Sequence, residues 1–341
     1  MIQLINLFIA IIPVVVFLAA MSLMDRFRLV RPASIVTALA YGAAAAGLSL
    51  WVNDWLLHVR QVPPDVVRRY IAPVTEETAK AGLIVVLIAT SRVGFLVDAA
   101  VQGFAVGTGF ALVENLWYLH SMPDAAVTLW IVRGLGTAVL QGATTSIFAI
   151  VSRALADRRP ERVVSRFVPG WAAAVAIHSA FNHRLLPPFA EMLLMLIVLP
   201  LLVLGVFERS ERVTRDWIGA GLDLDIELLE LVKSDGFAFT RFGRYLQELR
   251  ARVPGAVVAD MFCLLRVELE LAVQAKALLI AREAGLDVPV SDDLEASLAE
   301  RRYLQRSIGK IGLLALKPLQ VTSHRDDWHR HLLQQRGSPH S

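Results

Sequence analysis

Two adjacent glutamates and a lysine stand inside the apolar stretch IAPVTEETAKAGLIVVLIA, residues 71–89. Ionised groups are costly in such a helix, so Glu76, Glu77 and Lys80 mark a functional site by default. Glu76 and Lys80 are i and i+4, on one helical face, with Glu77 one step round. Two further apolar stretches repeat the pattern. GFALVENLWY sets Phe110 and Glu114 one turn apart with Asn115 beside Glu114, and AIHSAFNH sets His178 and Asn182 one turn apart. Between these two stretches lie Arg133 and a weaker polar group, Gln141.

Carboxylates, an imidazole and an amide together suit hydrolysis. A glutamate can take a proton from water as general base. A histidine and an asparagine on a facing helix can orient that water and donate to the developing oxyanion. Glu77 is the expected base with Glu76 as its near-equivalent, and spacing does not separate the two, because helix rotation decides it. Glu76, Glu77, Glu114 and His178 also suit a divalent metal, zinc foremost, with Asn182 outside its ligands. Lys80 offsets carboxylate charge, and Arg133 serves either as a counter-ion or as a contact to a substrate carboxylate. No serine–histidine–aspartate arrangement is visible. The single cysteine, Cys263, rules out an intrachain disulfide and a cysteine-based zinc site.

These groups need helices long enough to carry them through a bilayer. Of the 341 residues 55% are hydrophobic and 19% charged, against the roughly 25% charged of a soluble domain. The depletion is confined to residues 1–208, and Lys80 is the only lysine before residue 233. About seven spans of the required length are read at 2–24, 33–57, 71–90, 95–119, 126–150, 167–185 and 188–207. Loops 25–32, 91–94 and 151–166 hold nine arginines, and the alternate loops hold Arg60, Arg68, Arg69 and Arg184. That bias puts the N-terminus outside and residue 208 inside. The glutamates lie early in an inward span, and Glu114 and His178 lie late in outward ones. All of them therefore converge at one depth near one membrane face, and Arg133 joins them.

The expected fold is all-α: a polytopic transmembrane helix bundle (1–208), then a soluble helical cytosolic domain (209–317) and a flexible tail (318–341). In the second part helical periodicity is broken at Gly236, Pro254-Gly255 and Pro289. Excess arginine is explained by topology, and no nucleic-acid motif is present, so the expected surroundings are the lipid bilayer and protein partners.

EETAK (76–80), FALVEN (110–115) and HSAFN (178–182), in that order on successive spans, resemble the motif trio of the PrsW branch of the intramembrane proteases. That branch is related to the CAAX prenyl endopeptidases and bacteriocin-processing enzymes. APVTEETAK and the glycine-rich DAAVQGFAVGTGFALVEN are similar in context as well, and the resemblance covers residues 70–185. It implies an endopeptidase with Glu76 and Glu77 as the essential pair, Glu114 at the second motif, and His178 and Asn182 completing the site. It further implies a bacterial cell membrane, a membrane-anchored protein substrate such as an anti-sigma factor, and a signalling cascade. The implied mechanism uses a glutamate-activated water, needing no cofactor, or in an older view a metal. One position departs: such sequences often have histidine where this chain has Gln141, which favours the water mechanism.

Other readings use the same residues. The ionised groups could be a structural ion-pair network between the third and fifth spans. They could bind or carry a cation or proton in a non-catalytic membrane protein. A member without catalysis could act as a scaffold through its cytosolic domain. Groups at several depths would mark a transport path; here they share one depth.

Overall fold

In the computed structural model, residues 2–25, 27, 29–158, 165–251, 253–284, 286 and 292–316 are described, and their regular elements are all helical. In chain order these are α1 (Ile2–Met24), α2 (Pro32–His58) and a short α3 (Pro64–Val66). A π-helical turn, Val67–Ile71, joins α3 to α4 (Ala72–Ala89), and α5 (Leu96–Ser121) follows. Next come α6 (Val127–Val132), a second π-helical turn at Arg133–Thr137 and α7 (Ala138–Arg158). After them are α8 (Val168–Asn182), α9 (Pro188–Lys233), α10 (Arg241–Leu249), α11 (Gly255–Glu283) and α12 (Asp292–Leu316). The break expected at Pro289 and the tail 318–341 lie outside the described residues.

Proline opens several of these helices. Pro32, Pro64 and Pro169 occupy first-turn positions, where the missing N–H leaves no bond unmade. The connections are tight, and Gln61, Ser91 and Arg184 take left-handed backbone with φ of 52°, 55° and 52°.

The chain divides into two compact units, Met1–Glu211 and Arg212–Ser341, and α9 runs through the division. In the first unit α5 is the central helix. It is buried on every side from Val97 to Ala111, as a helix with apolar or small residues all round must be. It packs against α7, α2 and α1. Small residues let the backbones meet: a Cβ on Gly107 would run into the Gln141 carbonyl on α7, and one on Gly109 into the Leu39 carbonyl on α2. The apolar core joins Val14 and Leu18 of α1, Ile84 and Ile88 of α4, Phe104 of α5 and Phe148 of α7.

Among the described residues, five helices are long and apolar enough to cross a membrane: α1, α2, α5, the run Val127–Asp157 and α9. The sequence also counts α4 and α8 as spans. They fall short of that measure, α4 through its three charged residues and α8 through its 15-residue length. α9 differs from the expected 188–207 segment by continuing to Lys233, since helical periodicity persists in the polar residues after Phe207.

In the second unit, α11 and α12 pack side by side. Leu264, Leu271 and Leu279 of α11 are buried there. Lys276 Nζ reaches Asp225 at 2.7 Å and Arg301 Nε reaches Glu268 at 2.8 Å. Cys263, on α11, is half-buried and free.

Candidate active site

The residues singled out in the sequence come from α4, α5, the second π-helical turn, α7 and α8, and the bundle brings most of them together. Glu77 is at the centre. It is 3% exposed, and its Oε1 accepts from Lys80 Nζ (2.7 Å), Thr144 Oγ1 (3.0 Å) and His178 Nδ1 (2.8 Å). An ionised glutamate paired with a lysine can only accept, so His178 Nδ1 carries a hydrogen and the Nε2 edge of the ring points the other way. Nε2 faces Glu76, whose Oε2 lies 3.8 Å off.

The two glutamates thus have different surroundings although they are neighbours in sequence. A helix turns about 100° per residue, so Glu77 faces α7 and α8, while Glu76 faces a cavity of about 740 Å3. That cavity is lined by Glu76, Glu114 and His178, with Asn53 of α2 and Asn182 at its wall.

Gln141 ties the carboxylates to one another. Its Oε1 accepts from Lys80 Nζ at 2.5 Å, and its Nε2 donates to Glu76 Oε2 at 3.1 Å and to Glu114 Oε2 at 3.0 Å. Glu114 Oε1 in turn accepts from Arg133 Nη2 at 3.1 Å. The Arg133 Nε donates to Asn115 Oδ1 at 3.0 Å, and its guanidinium stacks on the Tyr118 ring at 3.6 Å. Asn115 extends the chain of bonds by donating to the Ala10 carbonyl of α1 at 2.9 Å. Phe110 lies beneath the ammonium, with Lys80 Nζ 5.1 Å from its ring centre. Arg133 is therefore engaged as a counter-ion to Glu114, and it also lines the cavity.

Asn182 is the motif residue least involved with the carboxylates. Its Nδ2 donates to the Arg68 carbonyl at 2.9 Å, while Ser179 Oγ donates to the Arg69 carbonyl at 2.6 Å. Both carbonyls belong to the π-helical turn before α4, so α8 braces the approach to the glutamates. π-helical turns are frequent at functional sites, and here each of the two lies next to site residues.

Two partners were missed in the sequence. Asn53 donates to Glu76 Oε1 at 3.4 Å and its Oδ1 accepts from Thr75 Oγ1 at 3.1 Å. An asparagine late in an apolar span, at the depth of the glutamates, was the available signal. Thr144 is the other, and its place one turn after Gln141 in QGATTS could have shown it.

Among the described residues, no three histidine, cysteine, aspartate or glutamate side chains converge as metal ligands. The carboxylate oxygens of Glu76 and Glu114 each meet a side-chain nitrogen. What the arrangement offers chemically is a cavity-facing carboxylate with the imidazole Nε2 3.8 Å away, close enough for one water molecule in the cavity to touch both from the side.

A family model described as PrsW family intramembrane metalloprotease matches residues 28–205, just over half of the chain and all of the site. No curated protein and no solved structure matches the chain.

Proposed function

This chain belongs to the PrsW family of intramembrane metalloproteases, which are peptide hydrolases, and from that premise we propose that it is an endopeptidase cutting a membrane-anchored protein near the bilayer surface. One observation carries the reading. Glu76 and the Nε2 side of His178 share the cavity wall, with Glu77 buried behind the imidazole.

In the proposed reaction Glu76 is the general base. A water in the cavity, touching both Glu76 Oε2 and His178 Nε2, gives its proton to Glu76, and its oxygen bonds to the scissile carbonyl carbon. The negative charge that develops on the carbonyl oxygen meets amide N–H groups at the cavity wall, from Asn53 and Asn182. The proton returns from Glu76 to the leaving amine as the C–N bond breaks. Glu77 acts through His178: its carboxylate holds Nδ1–H and keeps the ring turned toward Glu76, as an orienting carboxylate does. Lys80 holds the charge of Glu77 in an apolar surrounding.

The family description implies a metal. The residues as arranged do not fit one, because amide and cationic nitrogens already meet the carboxylate oxygens.

In this reading α4 and α8 are spans, which makes seven in the cell membrane of a bacterium, with the N-terminus outside. The site then opens toward the extracytoplasmic side, and the second unit is a soluble cytosolic domain with a partner of its own. A membrane-anchored regulator, such as an anti-sigma factor, fits as substrate in the first cut of a signalling cascade.

The test is cleavage of a panel of tagged single-span membrane proteins by the purified full chain in lipid. Glu76→Gln and His178→Ala are each expected to lower the rate by about 100-fold or more, the usual range for loss of general acid–base assistance. Cleavage that survives both substitutions would overturn the site.

A further inference from the structure

Gln141 is 1% exposed and its side chain bridges the carboxylates of Glu76 and Glu114. Its orientation is fixed from both ends. The Lys80 ammonium can only donate, so it takes the amide oxygen, and the NH2 group is left to face Glu76 and Glu114. One nitrogen thus satisfies one oxygen from each carboxylate. The other oxygen of Glu114 accepts from Arg133, and that of Glu76 from Asn53.

Glu76, Glu77 and Glu114 face two fixed cations, Lys80 and Arg133, which leaves one formal negative charge where a divalent ion needs two to be neutralised.

We propose that the Gln141 amide stands in the place a divalent ion would take between Glu76 and Glu114, so that this chain holds its carboxylates with an amide and binds no zinc there. Gln141 is then a positioning residue. Its identity decides whether the site is a glutamate–water site or a metal site. Gln141→Glu keeps the shape of the side chain, replaces the NH2 with an acceptor and adds the charge that a divalent ion needs. Gln141→His supplies a nitrogen ligand beside Glu76, Glu114 and His178, a donor set suited to zinc.

The proposal deepens the peptidase reading, but its test does not depend on cleavage. The full chain, carrying no histidine tag, is placed in lipid nanodiscs, stripped with chelator, and re-equilibrated with zinc chloride or manganese chloride. Bound metal is then counted per chain. Metal counts as site-specific when Glu76→Gln, made in the same background, removes it. The wild type is expected to hold no site-specific metal. Gln141→Glu with manganese, or Gln141→His with zinc, is expected to gain about one equivalent, with the stability gain that metal binding brings. A wild type that holds about one zinc, lost on Glu76→Gln, overturns the proposal even if neither variant folds. Folded variants that both gain nothing overturn it as well, since the amide would then not be what keeps the ion out. A wild type that binds no zinc and also cleaves nothing counts against the peptidase reading and for this one.

Discussion

At the scale of single residues, Glu76 and Glu77 differ more than their adjacency suggests. Both are acceptors on one turn of α4, yet Glu76 faces the cavity and Glu77 carries three buried donors on one oxygen. Removing the charge from each should therefore stop catalysis for different reasons. Glu76→Gln gives up one acceptor, opposite the longer 3.4 Å contact to Asn53 at the cavity wall, and should lower the thermal midpoint only slightly. Glu77→Gln leaves the buried Lys80 ammonium without its partner carboxylate, a change that typically costs about 3–5 kcal/mol. It should lower the midpoint measurably. Paired thermal melts and cleavage rates in the same lipid check this, and equal midpoints for the two variants would remove the distinction. The motif residues were legible in the sequence because their types are rare in apolar helices. Their division of labour was not, since it depends on how α4 is rotated against α7 and α8. Asn53 and Thr144 went unseen because neutral polar residues in a span are common enough to attract no notice.

At the scale of elements, the site is held by how closely α5 approaches α7. Gly107 lets the α5 backbone lie against the Gln141 carbonyl, and the side chain of that same residue bridges the carboxylates. A methyl group at Gly107 must push the α7 backbone aside. Gly107→Ala should then cost about 1–3 kcal/mol, the usual range for overpacking, and should also lower activity by displacing Gln141. Gly205 on α9 has nothing within 4 Å of the same added atom. Gly205→Ala should be neutral or stabilise by up to about 1 kcal/mol through helix propensity. If thermal melts give the two alanines the same effect, the packing argument fails. Glycine richness before the second motif was visible in the sequence, and so were the helices themselves. The π-helical turns at Val67–Ile71 and Arg133–Thr137 were not. An extra residue per turn leaves no periodic signature over five residues, and the carbonyls it frees are braced by Ser179 and Asn182 from a distant part of the chain.

At the scale of the whole molecule, the span count turns on the two helices that hold most of the site. α4 departs from a plain hydrophobic span because it carries Glu76, Glu77 and Lys80, and α8 because its 15 residues reach only about 22 Å at 1.5 Å per residue. A hydrocarbon core is about 30 Å thick. Charge in α4 and length in α8 thus keep these two helices below the hydropathy measure that five others meet among the described residues. Seven crossings and five make opposite statements about the flanking loops, and the chain has a single cysteine to remove before they are probed. In a Cys263→Ser background, Arg60→Cys and Arg92→Cys bracket α4, and Ser165→Cys and Arg184→Cys bracket α8. With seven spans, a membrane-impermeant maleimide added to intact cells labels positions 60 and 184. It reaches 92 and 165 only after the membrane is opened. If α4 does not cross, 60 and 92 react together, and if α8 does not cross, 165 and 184 do. The native Cys263 gives the remaining sign: with the second unit in the cytosol it reacts only in permeabilised cells. Labelling of Cys263 from outside would invert the orientation that the arginine bias assigns and would turn the mouth of the cavity toward the cytoplasm, where an extracytoplasmic cut could not be made.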